Sequence, residues 1–187
     1  TDFLGFKPDN DEWKTMALAS FSKKENSFDK KFLEVYELKQ NGFELNLSYF
    51  DFYLFDRKPN FYNKKLEKLF GKPRKKNEKI TKRHYEIAGA LQRTFEKIVF
   101  HLLKITKRYG GKSNNIVLAG GAAMNCVFNG RMEKVNIYKN NFVPPWPDDL
   151  GVSIGATLLA NKNLKKIKKN FQFNKSVYLG PKYSDRE

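Results

Sequence analysis

Two segments carry residue types that could build a nucleotide or metal site. In the first, an apolar run over residues 115–119 leads into Gly120 and Gly121 and then into a helical pattern. Glycine has no Cβ atom, so such a turn lets the backbone approach a ligand closely, and the amides of the following helix attract phosphate. The spacing is neither that of a P-loop nor G-x-G-x-x-G, so an ordinary strand–helix turn that requires small residues is an equally good interpretation.

The second segment, residues 147–156, places two adjacent aspartates before a helical pattern. We expect one of Asp148 and Asp149 to cap the helix and the other to direct a carboxylate towards the strand ends, where open α/β sheets bind ligands. A carboxylate in that place suits a divalent metal. Gly151 and Gly155, four residues apart, predict a smooth helix face for close approach. The structural alternative is a pair of capping aspartates and a packing face.

Two further charged residues, Glu12 and Lys14, fall in the first turn of a predicted helix. Positions two apart point about 200° apart around a helix, so these side chains are not expected to pair. Lys14 could hold a phosphate or ribose oxygen if it faces a cleft, but charges that only stabilise the helix end are the plainer interpretation.

The histidines and the cysteine show no ligand spacing. His84 is predicted at the start of a helix and His101 lies one position from an apolar stripe, so each is interpreted as structural or exposed. Cys126 has no paired base in the sequence and is predicted to be a small buried residue, not a nucleophile.

Periodicity predicts the elements that must position these residues. Predicted helices lie at about residues 12–18, 28–40, 61–70, 85–109, 122–132 and 149–160. Predicted strands lie at about residues 43–47, 50–55, 115–119, 135–138 and 141–143, and the first two are expected to form a hairpin. The alternation of strand and helix after residue 114 predicts an α/β sheet with helices packed against it.

The strongest pattern is an apolar stripe along residues 85–109, which ends at Gly110-Gly111. Spacings of three and four residues connect its members, which are Ala88, Leu91, Phe95, Ile98, Leu102, Ile105 and Tyr109. A coiled coil would show the same stripe, but a short strand follows, so a core helix packed on a sheet is favoured.

Composition excludes several classes of protein. The chain has 187 residues, 40% of them hydrophobic, with 17 Phe, 9 Tyr and 2 Trp, which excludes intrinsic disorder. A single cysteine excludes a disulfide scaffold, and no apolar run approaches the roughly 18 residues of a membrane span. No secretory pattern opens the sequence, so we expect a cytoplasmic protein without a membrane partner.

The formal net charge is +16, from 36 Lys and Arg against 20 Asp and Glu. The most basic stretch, residues 71–83, is interpreted as a solvated connection, with a phosphate or nucleic-acid contact as the alternative. Lysine dominates the basic residues and no aromatic–basic recognition motif appears, so a nucleic-acid partner is not expected.

Both ends of the sequence favour a piece of a longer chain. Residue 1 is Thr, and residues 184–187 read Ser-Asp-Arg-Glu, a pattern typical of a helix N-terminus. A frayed polar tail is the alternative for the second observation.

Five segments together resemble the O-carbamoyltransferase family of nodulation and antibiotic-tailoring enzymes, the NodU/CmcH type. They are DEWKTMALA (11–19), IAGALQRTFEKIVFHLL (87–103), NNIVLAGGAAMNCVFNGR (114–131), PPWPDDLGVSIGATL (144–158) and YLGPKYSDRE (178–187). The resemblance implies an α/β fold, an actin-like (ASKHA, ribonuclease H-like) subdomain. Residues 1–177 would be the second half of a Kae1-like domain, and residues 178–187 would begin the junction to a C-terminal YrdC-like domain.

The resemblance also implies an activity. Carbamoyl phosphate and ATP would give a carbamoyl-adenylate in the YrdC-like domain, and the carbamoyl group would pass to the hydroxyl of a small-molecule acceptor at the Kae1-like site. The implied nucleotide-binding residues are Glu12, Lys14, Gly120, Gly121, Asn125 and Gly151. Asp149 aligns with a ligand of the family's divalent metal, of the iron type or Mg²⁺, which would act as a Lewis acid on the carbonyl. No catalytic residue is assigned.

Departures from the family pattern limit this assignment. Asp148 stands where the family usually has Gly, so the metal role is open between Asp148 and Asp149. Ala17, Ser20 and Ser22 also replace usual Gly and Pro residues. The histidine metal ligands of the family lie upstream, in an N-terminal lobe outside these residues. We therefore expect the 187-residue chain alone to be inactive.

Two other functions compete. A Kae1-type protein that makes threonylcarbamoyladenosine in tRNA would share the glycine turn, and the +16 charge would suit tRNA. Asn125-Cys126, the run 129–131 and the YLGPKYS run favour the carbamoyltransferases instead. The third possibility is a non-catalytic basic binding module.

Overall fold

The computed structural model describes residues 1–22, 24–57 and 60–163, together with residues 181 and 184. These form two compact units. The first comprises Thr1–Asn114 and Asn125–Lys139, and the second comprises Asn115–Met124 and Asn140–Glu187. The fold is mixed α/β. Most of the predicted junction at 178–187 lies outside the described residues.

Five helices and one hairpin make up the first unit in the part of the chain that is described. The helices are α1 (Glu12–Ala19), α2 (Ser27–Phe32), α3 (Lys64–Phe70), α4 (Lys82–Tyr109) and α5 (Cys126–Val135). The hairpin pairs β1 (Tyr36–Lys39) with β2 (Gly42–Leu45) in antiparallel register. Short 3-10 turns cover Asp2–Leu4, Leu47–Tyr49 and Phe52–Arg57.

Helix α4 organises the first unit because α1 and α2 both pack against it. Ala88 and Ala90 are completely buried, and Gly89 between them lies against the Ser22 carbonyl oxygen. Any side chain at position 89 would collide with that backbone atom. Three small residues in succession therefore let the segment before α2 approach the helix closely.

The long-helix prediction is confirmed, and the apolar stripe describes part of its buried face, because Ala88 and Ile105 are buried. Tyr109, the last member of the stripe, is 72% exposed. Polar Gln92, Arg93 and Glu96 are buried instead. Helix α4 therefore buries polar side chains that need partners from other elements.

Arg93 finds such a partner in Asp29, at 2.7 Å for both guanidinium–carboxylate contacts, and also donates to the Ser22 carbonyl. Burial opposes ionisation of the Asp29 carboxyl, but the hydrogen bonds from Arg93 and the Asn26 amide outweigh it and lower the pKa of Asp29. This pair joins α2 to α4.

The predicted helix at 28–40 is wrong beyond its first turn and a half. Helix α2 ends at Phe32, and Tyr36–Lys39 is a strand. Lys39 pairs with Glu37 at 2.6 Å and with Glu44 across the hairpin at 3.4 Å. Cross-strand pairing of this kind outweighs the local helical pattern. The predicted strand at 50–55 is also wrong, because a 3-10 turn occupies Phe52–Arg57.

The basic stretch at 71–83 is mostly exposed, as a solvated connection should be, but Arg74 is buried within it. Its guanidinium donates to the backbone carbonyls of Leu4, Gly5, Lys76 and Glu78. Arg74 therefore holds this connection against the backbone of Leu4 and Gly5.

In the second unit, β3 (Asn115–Val117) pairs in parallel with β4 (Asn140–Phe142), and Ile116 lies opposite Asn141. Helix α6 (Leu150–Asn163) follows β4. The predicted helix at 122–132 begins only at Cys126, after a 3-10 turn over Gly121–Met124, and the predicted strand at 135–138 is not formed. None of the helices in the described part of the chain combines the length and apolar character needed to cross a bilayer.

Candidate functional site

The second unit contains a cavity of about 680 Å³ at the carboxyl ends of its two parallel strands. Ala119 and Gly120 follow β3, and Phe142 and the proline-rich segment 144–147 end or follow β4. The N-terminal half of α6 supplies the remaining lining, which is predominantly apolar. This is the position at which open parallel sheets bind ligands.

Gly120 holds the turn that borders this cavity. Its φ of +97° is a conformation that favours glycine, and its amide donates to the Pro147 carbonyl. Within the described ranges, no atom lies within 4 Å of the position that a Cβ would take, so these residues leave open space beside the turn. Gly121, which begins the following 3-10 turn, is exposed with open space beside it. The glycine turn thus joins the Pro147 segment through a hydrogen bond.

The two glycines of α6 have different roles. A Cβ at Gly151 would collide with the Trp146 carbonyl oxygen, so this glycine permits tight packing of the segment that precedes the helix. Gly155 has open space beside it and lines the cavity. The expected smooth face is therefore used for packing at one end and faces open space at the other.

The two aspartates divide in the way that the sequence suggests. Asp148 is half-buried, and its carboxylate accepts the Leu150 amide at 3.3 Å, which caps α6. Asp149 is exposed and also lines the cavity. Among the described residues, no side-chain hydrogen bond or ion pair of Asp149 is found.

The described residues do not complete a metal site around Asp149. No cluster of three or more His, Cys, Asp or Glu side chains is found among them. Two neighbouring carboxylates fit the charge of a divalent cation, but a bound ion needs more donors than these two residues offer. The assignment of the metal to Asp149 stays a prediction.

Asn125 belongs to the first unit, where it is the N-cap of α5. Its Oδ1 accepts the Phe128 amide at 2.9 Å. Its amide also exchanges two hydrogen bonds with Gln92 of α4, from Gln92 Nε2 to Asn125 Oδ1 at 3.1 Å and from Asn125 Nδ2 to Gln92 Oε1 at 2.9 Å. The start of α5 is thereby fixed to α4.

Gln92 and Glu96 were not predicted as site residues. Gln92 donates to Glu96 at 2.9 Å, and Arg131 of α5 pairs with the same buried Glu96 carboxylate. Their partners lie 33 and 35 residues away in sequence. The one available signal is the spacing of these two polar residues, which stand four apart on α4.

Glu12 and Lys14 lie in the first turn of α1 and have local partners. Glu12 is exposed and accepts the Asp9 amide at 2.9 Å. Lys14 pairs with Asp11 at 2.8 Å and lies over the Trp13 ring. The expectation that Glu12 and Lys14 do not pair with each other agrees with these contacts.

The histidines are structural, whereas the prediction that Cys126 is buried is wrong. His84 is buried and its Nδ1 accepts the Thr81 amide at 2.9 Å at the start of α4. The half-buried His101 contacts the Lys39 carbonyl through Nε2 at 2.7 Å, so Nε2 must carry hydrogen. Cys126 is exposed, with its sulfur 3.9 Å from that of Met16, because the first turn of α5 presents it to solvent.

The structure brings together only part of the predicted nucleotide and metal set. Gly120, Asp149 and Gly151 line one cavity in the second unit. Glu12, Lys14 and Asn125 belong to the first unit. The second unit is thus a small α/β structure whose cavity is lined by a glycine turn and by the aspartate pair before α6.

Comparison with known proteins identifies the family. Residues 1–158 match the family model described as Carbamoyltransferase N-terminus. The nodulation protein NolNO of Sinorhizobium fredii is 32% identical over 171 residues, which cover 91% of this chain and 23% of that protein. The uncharacterized protein sll1178 of Synechocystis sp. is 34% identical over 194 residues, covering 100% of this chain and 30% of that protein. The nodulation protein NolO of Bradyrhizobium diazoefficiens is 29% identical over 155 residues, covering 82% of this chain and 26% of that protein.

The chain belongs to the carbamoyltransferase family of the NodU type, which confirms the resemblance found in its sequence. It spans between 23% and 30% of the length of these three relatives.

Proposed function

We propose that the chain contributes to an ATP-dependent O-carbamoyltransferase that passes a carbamoyl group from carbamoyl-adenylate to a hydroxyl of a small-molecule acceptor. The observation that carries this proposal is the family match over residues 1–158, which includes the glycine turn and Asp149. Within it, the cavity of the second unit lies where an α/β sheet would bind such a ligand. We further propose that the fold is the actin-like half of a Kae1-like domain, in a cytoplasmic enzyme.

Carbamoyl transfer makes defined demands on such a site. The acceptor oxygen attacks the carbamoyl carbon, the bond from that carbon to the adenylate oxygen breaks, and AMP leaves with the electron pair while the hydroxyl proton passes to a base or to water. Gly120 would let the backbone approach the adenylate, and the apolar wall around Trp146 would exclude water from the reactive carbonyl. Glu12, Lys14 and Asn125 are proposed as further nucleotide-recognition residues, because they lie in the matched segment.

Asp149 is proposed as one carboxylate ligand of a divalent cation, completed by donors beyond the described residues. Asp149→Asn should weaken the binding of Mg²⁺ or Fe²⁺ by about tenfold, since one charged ligand is lost. Asp148→Asn keeps an oxygen that can cap α6 and is the matched control. Titration calorimetry with each ion measures the effect. A larger loss for Asp148→Asn would move the ligand to position 148.

The nucleotide assignment is tested at Gly120. Gly120→Ala places a methyl group beside the cavity at a φ of +97°, and we expect the Kd for ATP to rise by about tenfold. Gly111→Ala is the matched control, since Gly111 also has positive φ, +64°, with open space beside it, but lies in the first unit. Calorimetry on the full encoded chain gives the affinity. Equal Kd values for the two variants would contradict a nucleotide site at the glycine turn.

A further inference from the structure

The side-chain amide of Asn125 has its orientation fixed from two sides. The Phe128 amide can only donate, so the atom that faces it must be the Asn125 oxygen. Glu96 is 3% exposed and pairs with Arg131, so its ionised carboxylate can only accept, and the Gln92 nitrogen must face it. The reciprocal Asn125–Gln92 pair is consistent with both assignments.

The Asn125 side chain has one hydrogen-bonding group that the described residues do not use. Its Oδ1 accepts from the Phe128 amide and from Gln92, which fills both acceptor positions. Its Nδ2 donates one hydrogen to Gln92 Oε1. Among the described residues, no contact uses the second hydrogen of the half-buried Asn125. The side chain can therefore offer a ligand one N–H donor and no acceptor.

Capping alone does not explain the residues behind Asn125. An asparagine N-cap needs only its own oxygen and the amide of Phe128. Here a buried carboxylate, Glu96, is added behind Gln92, and burial of a charge is costly unless it is paired. Arg131, whose side chain is 47% exposed, reaches in to supply that charge. Of these residues Gln92 alone contacts Asn125, and its Oε1 accepts one of the two Asn125 N–H hydrogens and leaves the other directed away from Gln92.

We propose that Gln92 is a positioning residue, which Glu96 and Arg131 hold in place so that the Asn125 N–H faces an anionic acceptor oxygen such as a nucleotide phosphate. The inference rests on the proposed function, because it assumes that Asn125 contacts the nucleotide. The ten-residue helix α5 favours the same ligand, since the positive end of its dipole lies at Asn125. A ligand group that only donates hydrogen bonds finds no partner on this side chain.

Asn125→Asp and Gln92→Met test the proposal in the full encoded chain. Asp at 125 keeps an oxygen for the Phe128 amide but loses the N–H and adds a negative charge, so ATP affinity should fall at least tenfold. The melting temperature should also fall, because a carboxylate oxygen then faces Gln92 Oε1, which loses its donor. Gln92→Met preserves side-chain length without hydrogen bonds, and its ATP affinity should fall about fivefold to tenfold. Gln40→Met is the control, since Gln40 is exposed and uses its backbone carbonyl, not its side chain, to accept from Arg108.

Calorimetric Kd values for ATP and thermal unfolding are measured for every variant. If Gln92→Met lowers the melting temperature but binds ATP like the parent, the network is structural and the proposal is wrong. If Gln92→Met does not fold, Asn125→Asp decides the question. Unchanged ATP affinity in Asn125→Asp would show that Asn125 makes no nucleotide contact for Gln92 to position, and the proposal would be wrong. If the parent chain binds no nucleotide, the proposed function fails and takes this inference with it. Normal binding by the parent and by both variants overturns this inference alone.

Discussion

The two units bury their apolar residues to different extents. In the first unit, aromatic side chains such as Phe28, Phe32 and Phe70 are buried and stack on one another between the helices. In the second unit, Leu150 and Val152 of α6 are each 69% exposed. The described residues of the second unit therefore form regular helix and strand without burying the side chains that those elements carry.

This difference shows that a local sequence pattern can form helix and strand even where the apolar side chains of those elements stay exposed. A helix that is apolar on all sides is typical of the interior of a large protein. Helix α6 has such a sequence, and its Leu150, Val152 and Leu159 are exposed in the described part of the chain. In the first unit, by contrast, α4 is held by contacts with α1 and α2. Substitutions should therefore have different effects in the two units.

The two tryptophans allow each unit to be followed separately. Trp13 lies on α1 in the first unit, and Trp146 lies before α6 in the second. Trp146→Phe leaves a probe of the first unit, and Trp13→Phe leaves a probe of the second. Urea unfolding of these two backgrounds by fluorescence serves for the three predictions that follow.

The largest effect is expected from removing a buried leucine. Leu103→Ala on α4 should lower the free energy of unfolding by about 2–5 kcal/mol, because Leu103 is 3% exposed. Leu159→Ala on α6 should change it by about 0.5 kcal/mol or less, because Leu159 is 59% exposed. Trp13 and Trp146 fluorescence respectively report the two changes. A comparable loss for both leucines would mean that α6 is buried in solution.

Helical glycines give a smaller contrast of opposite sign. Gly89→Ala should destabilise the first unit by about 1–3 kcal/mol, because the added methyl group meets the Ser22 carbonyl. Gly155→Ala should stabilise α6 by about 0.5–1 kcal/mol, because alanine is the better helix former and nothing obstructs it. The same unfolding curves measure both variants. Destabilisation by Gly155→Ala would show that another part of the protein packs closely there.

The smallest effect is the pH dependence from His84. Burial, with the charges of Arg83 and Arg74, lowers the pKa of His84, so the unfolded chain binds its proton more readily than the folded chain. The stability of the first unit should therefore fall as pH drops below about 6.5, the value of an unperturbed histidine. His84→Gln keeps an acceptor for the Thr81 amide and should flatten that part of the profile. An unchanged profile in His84→Gln would assign the dependence to another group.

Sequence reasoning succeeded where the deciding signals are local. Gly71 and Gly110 end α3 and α4 as predicted, and the apolar run before Gly120 is a strand. It failed at residues 36–39, where the pattern alone fits a helix and the ion pairs of Lys39 belong to a hairpin.

The candidate site shows the same division. A cap from the Asp148-Asp149 pair could be predicted because capping depends on the adjacent helix start, and Asp148 provides it. Gln92 and Glu96 could not, because their function becomes visible only when α5 places Asn125 and Arg131 beside them. The role of such buried polar residues can be recognised only from partners that are distant in sequence.

The buried Arg74 affects how readily proteases can cleave the stretch around it, residues 71–83. The surrounding stretch offers many lysines and is the type of exposed connection at which nicking concentrates. A protease, however, must draw the backbone into an extended form, and Arg74 ties that backbone to Leu4 and Gly5 through its carbonyl contacts. Cleavage among these lysines therefore requires release of the N-terminal segment as well. The buried Arg74 thus protects residues 71–83, the most basic stretch, from proteolysis.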